Sequence, residues 1–101
     1  KLYQHFMITK PFIMYTGVIA QDDPRKNVWG LIQAYARLSQ SLRQAYQLLL
    51  VGEVSLENRQ HLLKQAIKLG LLETDLIFTN YVNDEQLVSF YNLCHLFIFP
   101  S

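Results

Sequence analysis

Cysteine, net charge and long apolar runs are all scarce in this 101-residue chain. Cys94 is the only cysteine, which excludes an internal disulfide and fits a reducing, cytoplasmic setting. Nine Lys and Arg against eight Asp and Glu leave a formal charge of +1. No strong field is therefore available to hold nucleic acid or an anionic membrane surface, and no nucleic-acid partner is expected. The longest apolar run, Leu48 to Gly52, is far too short to span a bilayer. No charged stretch followed by an apolar segment opens the chain, so no secretory signal is read, and the first residue is Lys1 rather than methionine. Two nucleotide-binding fingerprints are missing as well, G-x-G-x-x-G and G-x-x-x-x-G-K-[ST]. His5, His61 and His95 share no metal-ligand spacing with one another or with Cys94, so no metal is expected. No Ser-His-Asp or Cys-His arrangement can be argued either.

What is present is a chain that is 50% hydrophobic and 17% charged, the balance of one globular core. Four short runs are apolar at consecutive positions: Phe12–Thr16, Gln47–Val51, Leu76–Thr79 and Leu96–Phe99. Strands covered on both faces need that pattern, and they belong to parallel sheets. Three amphipathic stretches separate the runs, over about 28–40, 56–69 and 84–94. In the third, Leu87, Phe90, Tyr91 and Cys94 fall on one stripe, with Asn83 or Asp84 placed to cap it. Gly70 is suited to close the second. The reading is β-α-β-α-β-α-β over residues 12–101, an α/β domain with a parallel sheet in strand order 3-2-1-4 and helices on both faces. Residues 1–11 read as a connecting segment with some buried aromatic contacts.

In an open parallel sheet, ligands bind beyond the C-terminal ends of the strands. Four segments lie there, at 17–27, 52–55, 80–83 and 100–101. Gly17 ends the first strand without a side chain and lets another group approach the backbone. Arg25 and Lys26 follow as adjacent cations, an Arg fork and a Lys point charge suited to phosphate oxygens. As residues alone they read first as a solvated loop in which they pair with Asp22 and Asp23. Gly52 after the second strand is a weaker signal of the same kind.

The string "YTGVIAQDDPRKN" (Tyr15–Asn27) resembles the first strand and loop of the C-terminal domain of retaining glycosyltransferases of the GT-B fold, the glycosyl transferases group 1 or family 4 set. "VWGLIQAYARL", "YQLLLVGE" and "LIFTNYVNDEQLVSFYNLCHLFIFPS" continue the likeness to Ser101. The resemblance implies a Rossmann-like, donor-binding domain in an enzyme that moves a sugar from a nucleoside diphosphate sugar to an acceptor with retention. It implies roles for single residues: Lys26, Arg25 and Gly17 at the donor diphosphate, Tyr81 and Val82 facing the nucleotide base, and Gly52 and Ser101 on the pocket rim. Val18 departs from the pattern, standing where many members carry an arginine, and Asn80 stands where glycine is common. The catalytic glutamates of the family would lie beyond Ser101, so no catalytic residue is assigned in this chain. The chain is expected to be an inactive part of its parent. No cofactor and no metal is expected beyond the nucleoside diphosphate sugar itself. Its partners would be the nucleotide-sugar donor and an acceptor saccharide or lipid-linked saccharide, the latter held by an N-terminal domain, with peripheral membrane association of the parent compatible with such an acceptor. Two other readings share the architecture: a non-enzymatic flavodoxin-like α/β module, and a sugar-nucleotide epimerase of the same two-domain fold.

Overall fold

The structure, a computed structural model, describes residues 6–17 and 28–98. Its elements are β1 (Phe12–Thr16), α1 (Val28–Ala36), α2 (Gln40–Ala45), β2 (Gln47–Val51), α3 (Leu56–Lys68), a 3-10 turn (Glu73–Asp75), β3 (Leu76–Asn80), α4 (Asp84–Leu93) and β4 (Leu96–Ile98). The strands form one sheet in the order β3-β2-β1-β4. Every neighbouring pair is parallel.

Consecutive apolar residues are what such a sheet requires, because successive side chains point to opposite faces and both faces are covered. Tyr15, Leu48, Leu50 and Leu76 pack with Val28, Ile32 and Tyr35 of α1 and with Leu62 and Ala66 of α3. Phe12, Met14, Leu49, Val51 and Ile77 pack on the other face, with Ile8 and with Phe90 of α4. Phe90 is fully buried. Its ring meets Phe12 and Phe6 edge-on, at centroid distances of 6.1 and 5.4 Å. Burying a ring of that size contributes about 1.5–3 kcal/mol and fixes α4 to the sheet.

One amide joins the far end of the sheet. Gln47 is buried at the start of β2. Its Oε1 accepts the N–H groups of Thr9 at 2.8 Å and Lys10 at 3.2 Å, and its Nε2 donates to the Thr74 carbonyl at 2.8 Å. The segment before β1 is thereby held against β2 and the 3-10 turn.

The helices depart from the sequence reading at two places. The helix expected over 28–40 ends at Ala36, and a second helix that the spacing does not show, α2, begins at Gln40 and runs to Ala45. The N–H groups of Arg37 and Leu38 close the end of α1 onto the carbonyls of Ala34 and Tyr35, each at 3.1 Å. Ser39 then caps α2, its Oγ accepting the Leu42 N–H at 3.3 Å. On α4, Tyr91 is exposed although its spacing puts it beside Leu87 and Phe90. Gly70 closes α3 as the pattern suggests: at φ +93° its N–H bonds Ile67 O, while Leu71 N–H bonds Ala66 O.

Candidate functional site

Three strands end side by side on Gly17, Gly52 and Asn80. Gly17 extends the β1–β2 ladder, its N–H donating to Val51 O at 3.0 Å. Gly52 has φ +148°, a region that side-chain-bearing residues rarely enter. A Cβ on Gly52 would collide with the Gly17 carbonyl, so the two backbones are in direct contact. Gly17 has φ +149°, and a Cβ there would sit 2.7 Å from the Tyr15 hydroxyl.

Asn80 completes the row. It makes an antiparallel bridge to Gly52, beyond the parallel β2–β3 pairing. Its backbone is left-handed at φ +62°, and its Oδ1 accepts the Val54 N–H at 3.3 Å. Asparagine is among the few side-chain-bearing residues that enter this region readily. That accounts for its standing where the family resemblance leads one to expect glycine.

The next residues lead into α4. Tyr81 is 74% exposed, and Val82 packs partly against the core on the α4 face. Asn83, rather than Asp84, is the cap: its Oδ1 accepts the Gln86 N–H at 2.7 Å, and Gln86 Oε1 accepts the Asn83 N–H at 3.0 Å. Ser55 caps α3 in the loop opposite, its Oγ accepting the Asn58 N–H at 3.1 Å.

Charge is sparse among the described residues of this edge. Among the described residues of the segments at 17, 52–55 and 80–83, Glu53 is the only charged one. Arg25, Lys26 and Ser101, the other expected site residues, lie outside the described residues, as does Val18. The structure thus brings Gly17 and Gly52 together, with Tyr81 and Val82 directly after Asn80, and does not describe the cations.

The remaining polar groups are elsewhere. His95 lies at the opposite end of the sheet, where its Nε2 is 3.2 Å from the Tyr46 hydroxyl. His61 is exposed on α3, and Cys94 is half-buried with its Sγ 3.3 Å from the Tyr91 carbonyl. No group of three metal-ligating residues occurs among the described residues, and no described helix is long and apolar enough to cross a membrane. A groove of about 460 Å³ runs beside β3, lined by Phe6, Met7, Leu56, Arg59 and Phe78 among others, and it includes none of the three strand-end residues. Asn80 is the site feature that periodicity misses. Its signal in the sequence is an asparagine directly after an apolar run, which marks a strand end with positive φ.

The likeness to known proteins runs through the whole chain. The family model described as "Glycosyl transferases group 1" matches residues 9–101. The chain is 42% identical over 100 residues to the serotype-specific mannosyltransferase WbdA of Escherichia coli, covering 99% of this chain and 12% of that protein. It is 32% identical to the O-antigen chain mannosyltransferase B of Escherichia coli, covering 99% of this chain and 25% of the relative. Among solved structures it is similar to WaaG, a glycosyltransferase involved in lipopolysaccharide biosynthesis, with a TM-score of 0.68, 25% identity, 99% of this chain and 25% of that one covered. The chain therefore spans an eighth to a quarter of the length of these relatives.

Proposed function

The chain belongs to the glycosyl transferases group 1 family, and from that premise we propose that it is the donor-binding part of an enzyme that transfers mannose from a nucleoside diphosphate sugar to a saccharide acceptor with retention of configuration. The observation that carries this is the row of Gly17, Gly52 and Asn80 along the C-terminal ends of three parallel strands. Its two glycines offer backbone without side chains at the place where α/β sheets receive ligands. The mannosyltransferase names of the relatives support the choice of sugar.

On this reading Lys26 and Arg25 lie along the diphosphate, Gly17 gives it room, Tyr81 and Val82 face the base, and Gly52 and Ser101 border the pocket. The bond that breaks joins the anomeric carbon to a phosphate oxygen, so negative charge grows on the departing diphosphate. A lysine ammonium beside it is worth most when that bond is nearly broken, which lowers the barrier instead of merely tightening binding. The acceptor, a saccharide or lipid-linked saccharide, would be held by another part of the enzyme, at the cytoplasmic face of a membrane. No metal or cofactor enters the step.

The test is an assay of the full-length protein carrying this chain, with a panel of nucleoside diphosphate sugars that includes GDP-mannose, and with a saccharide acceptor. Mannosyl transfer with the donor's anomeric configuration preserved is expected. An inverted product would overturn retention. Interconversion of free nucleotide sugars with no acceptor product would overturn transfer in favour of epimerisation.

A further inference from the structure

We infer that Asn80 is a positioning residue for the nucleotide, holding the loop after β2 and the turn after β3 in one fixed relation. The inference rests on the donor-site reading above and goes beyond it, because that reading places Asn80 in the row of strand ends and gives it no role toward the nucleotide.

Three contacts converge on this residue. Its main chain bridges Gly52. Its Oδ1 holds the Val54 N–H at 3.3 Å. Its carbonyl accepts the Thr79 hydroxyl at 3.0 Å. Gly52 in turn abuts Gly17. Asn80 is thus the end of a continuous backbone contact that runs across the tips of three strands, and the residue that follows it is the exposed Tyr81. The left-handed φ of +62° sets the direction in which the chain leaves β3.

Glycine would supply that φ but no acceptor, leaving Val54 N–H without its partner. Aspartate would supply both, at the cost of a carboxylate beside a site proposed for a diphosphate. Asparagine gives the turn and the clamp without charge. A residue acting through ordered backbone in this way should change how well the nucleotide is held, and should leave the chemical step largely alone.

The experiment uses the full-length protein, its Asn80→Gly and Asn80→Asp variants, GDP and UDP as binding probes, and amide hydrogen exchange at Val54. Asn80→Gly should exchange faster at Val54, while Asn80→Asp should keep that amide protected. Asn80→Gly should also raise the KM for the sugar donor, and the Kd of the nucleoside diphosphate that binds, by about three- to tenfold, the factor carried by one net hydrogen bond. The kcat should stay within about twofold of wild type. A merely structural role would lower the unfolding temperature and the active fraction without moving KM. That result overturns the inference, as does an Asn80→Gly protein with wild-type KM, or loss of Val54 protection in Asn80→Asp. Wild-type protein that binds neither GDP nor UDP would instead overturn the donor-site reading on which the inference rests.

Discussion

Tyr35 shows how one buried hydroxyl can set a pH limit on the fold. Its phenol, on α1, donates to the carbonyls of Tyr46 at 2.6 Å and Arg43 at 3.2 Å. It ties the α1–α2 corner to the start of β2. Burial pushes its pKa well above the ordinary phenol range; the Asp75 carboxylate adds to the rise and the Arg43 guanidinium opposes it. The unfolded chain's phenol ionises near pH 10, while the folded one stays protonated. The contribution is therefore complete below about pH 10. Above it, stability should fall by about 1.4 kcal/mol per pH unit until the folded-state pKa is passed. Urea unfolding of wild type and Tyr35→Phe between pH 8 and 12 should show this as a fall above about pH 10 in wild type that Tyr35→Phe lacks, so that their difference changes with pH; parallel curves would refute it. Neither this role nor that of Gln47 can be read from periodicity, since both residues occupy positions that an apolar side chain fills equally well. What distinguishes them is the partner each polar atom finds across 8 to 40 residues of sequence, which only the fold brings close.

Caps decided the helices. The 3.6-residue pattern over 28–40 continues through Ser39 without a break, so hydrophobic spacing carries α1 past its end at Ala36 and gives no sign of the separate α2 at Gln40–Ala45. Ser39 is a plausible surface residue of one long helix and an equally plausible N-cap of a second, and the difference lies in its Oγ accepting Leu42 N–H. On α4 the signal was stronger. Asn83 sits just before the apolar stripe with Gln86 three residues on, and the reciprocal pair forms. Asn83→Ala should cost about 1 kcal/mol of stability by denaturant unfolding. Because Asn83 lies within the turn from Asn80 to α4, the same change should loosen amide protection at Gln86 and leave the α3 cap at Ser55 untouched. A loss of protection at both helix starts would mean that the two ends are not held independently.

At the scale of the whole molecule, the four apolar runs correspond to the four strands to within a residue or so, because a strand covered on both faces leaves no polar position to blur the signal. The candidate site was less legible. Gly17, Gly52, Tyr81 and Val82 stand out by their places after strands and by resemblance, whereas the contact between Gly17 and Gly52 depends on how β1 and β2 lie in register. Lys26 carries the functional prediction. In the full-length enzyme Lys26→Ala should lower kcat at least tenfold, about 1.4 kcal/mol of lost transition-state stabilisation, with little change in unfolding temperature. Turnover equal to wild type would remove Lys26 from the reaction. The touching glycines also bear on how this sequence is free to drift. Most clashes made by a new side chain can be relieved by trimming a neighbour, so a harmful change at one position becomes tolerable after a change at another. A side chain at Gly52 meets a carbonyl oxygen, and every amino acid brings the same carbonyl. No substitution at position 17 makes room, so position 52 has no compensating partner in sequence space and stays glycine as long as the two strands end where they do.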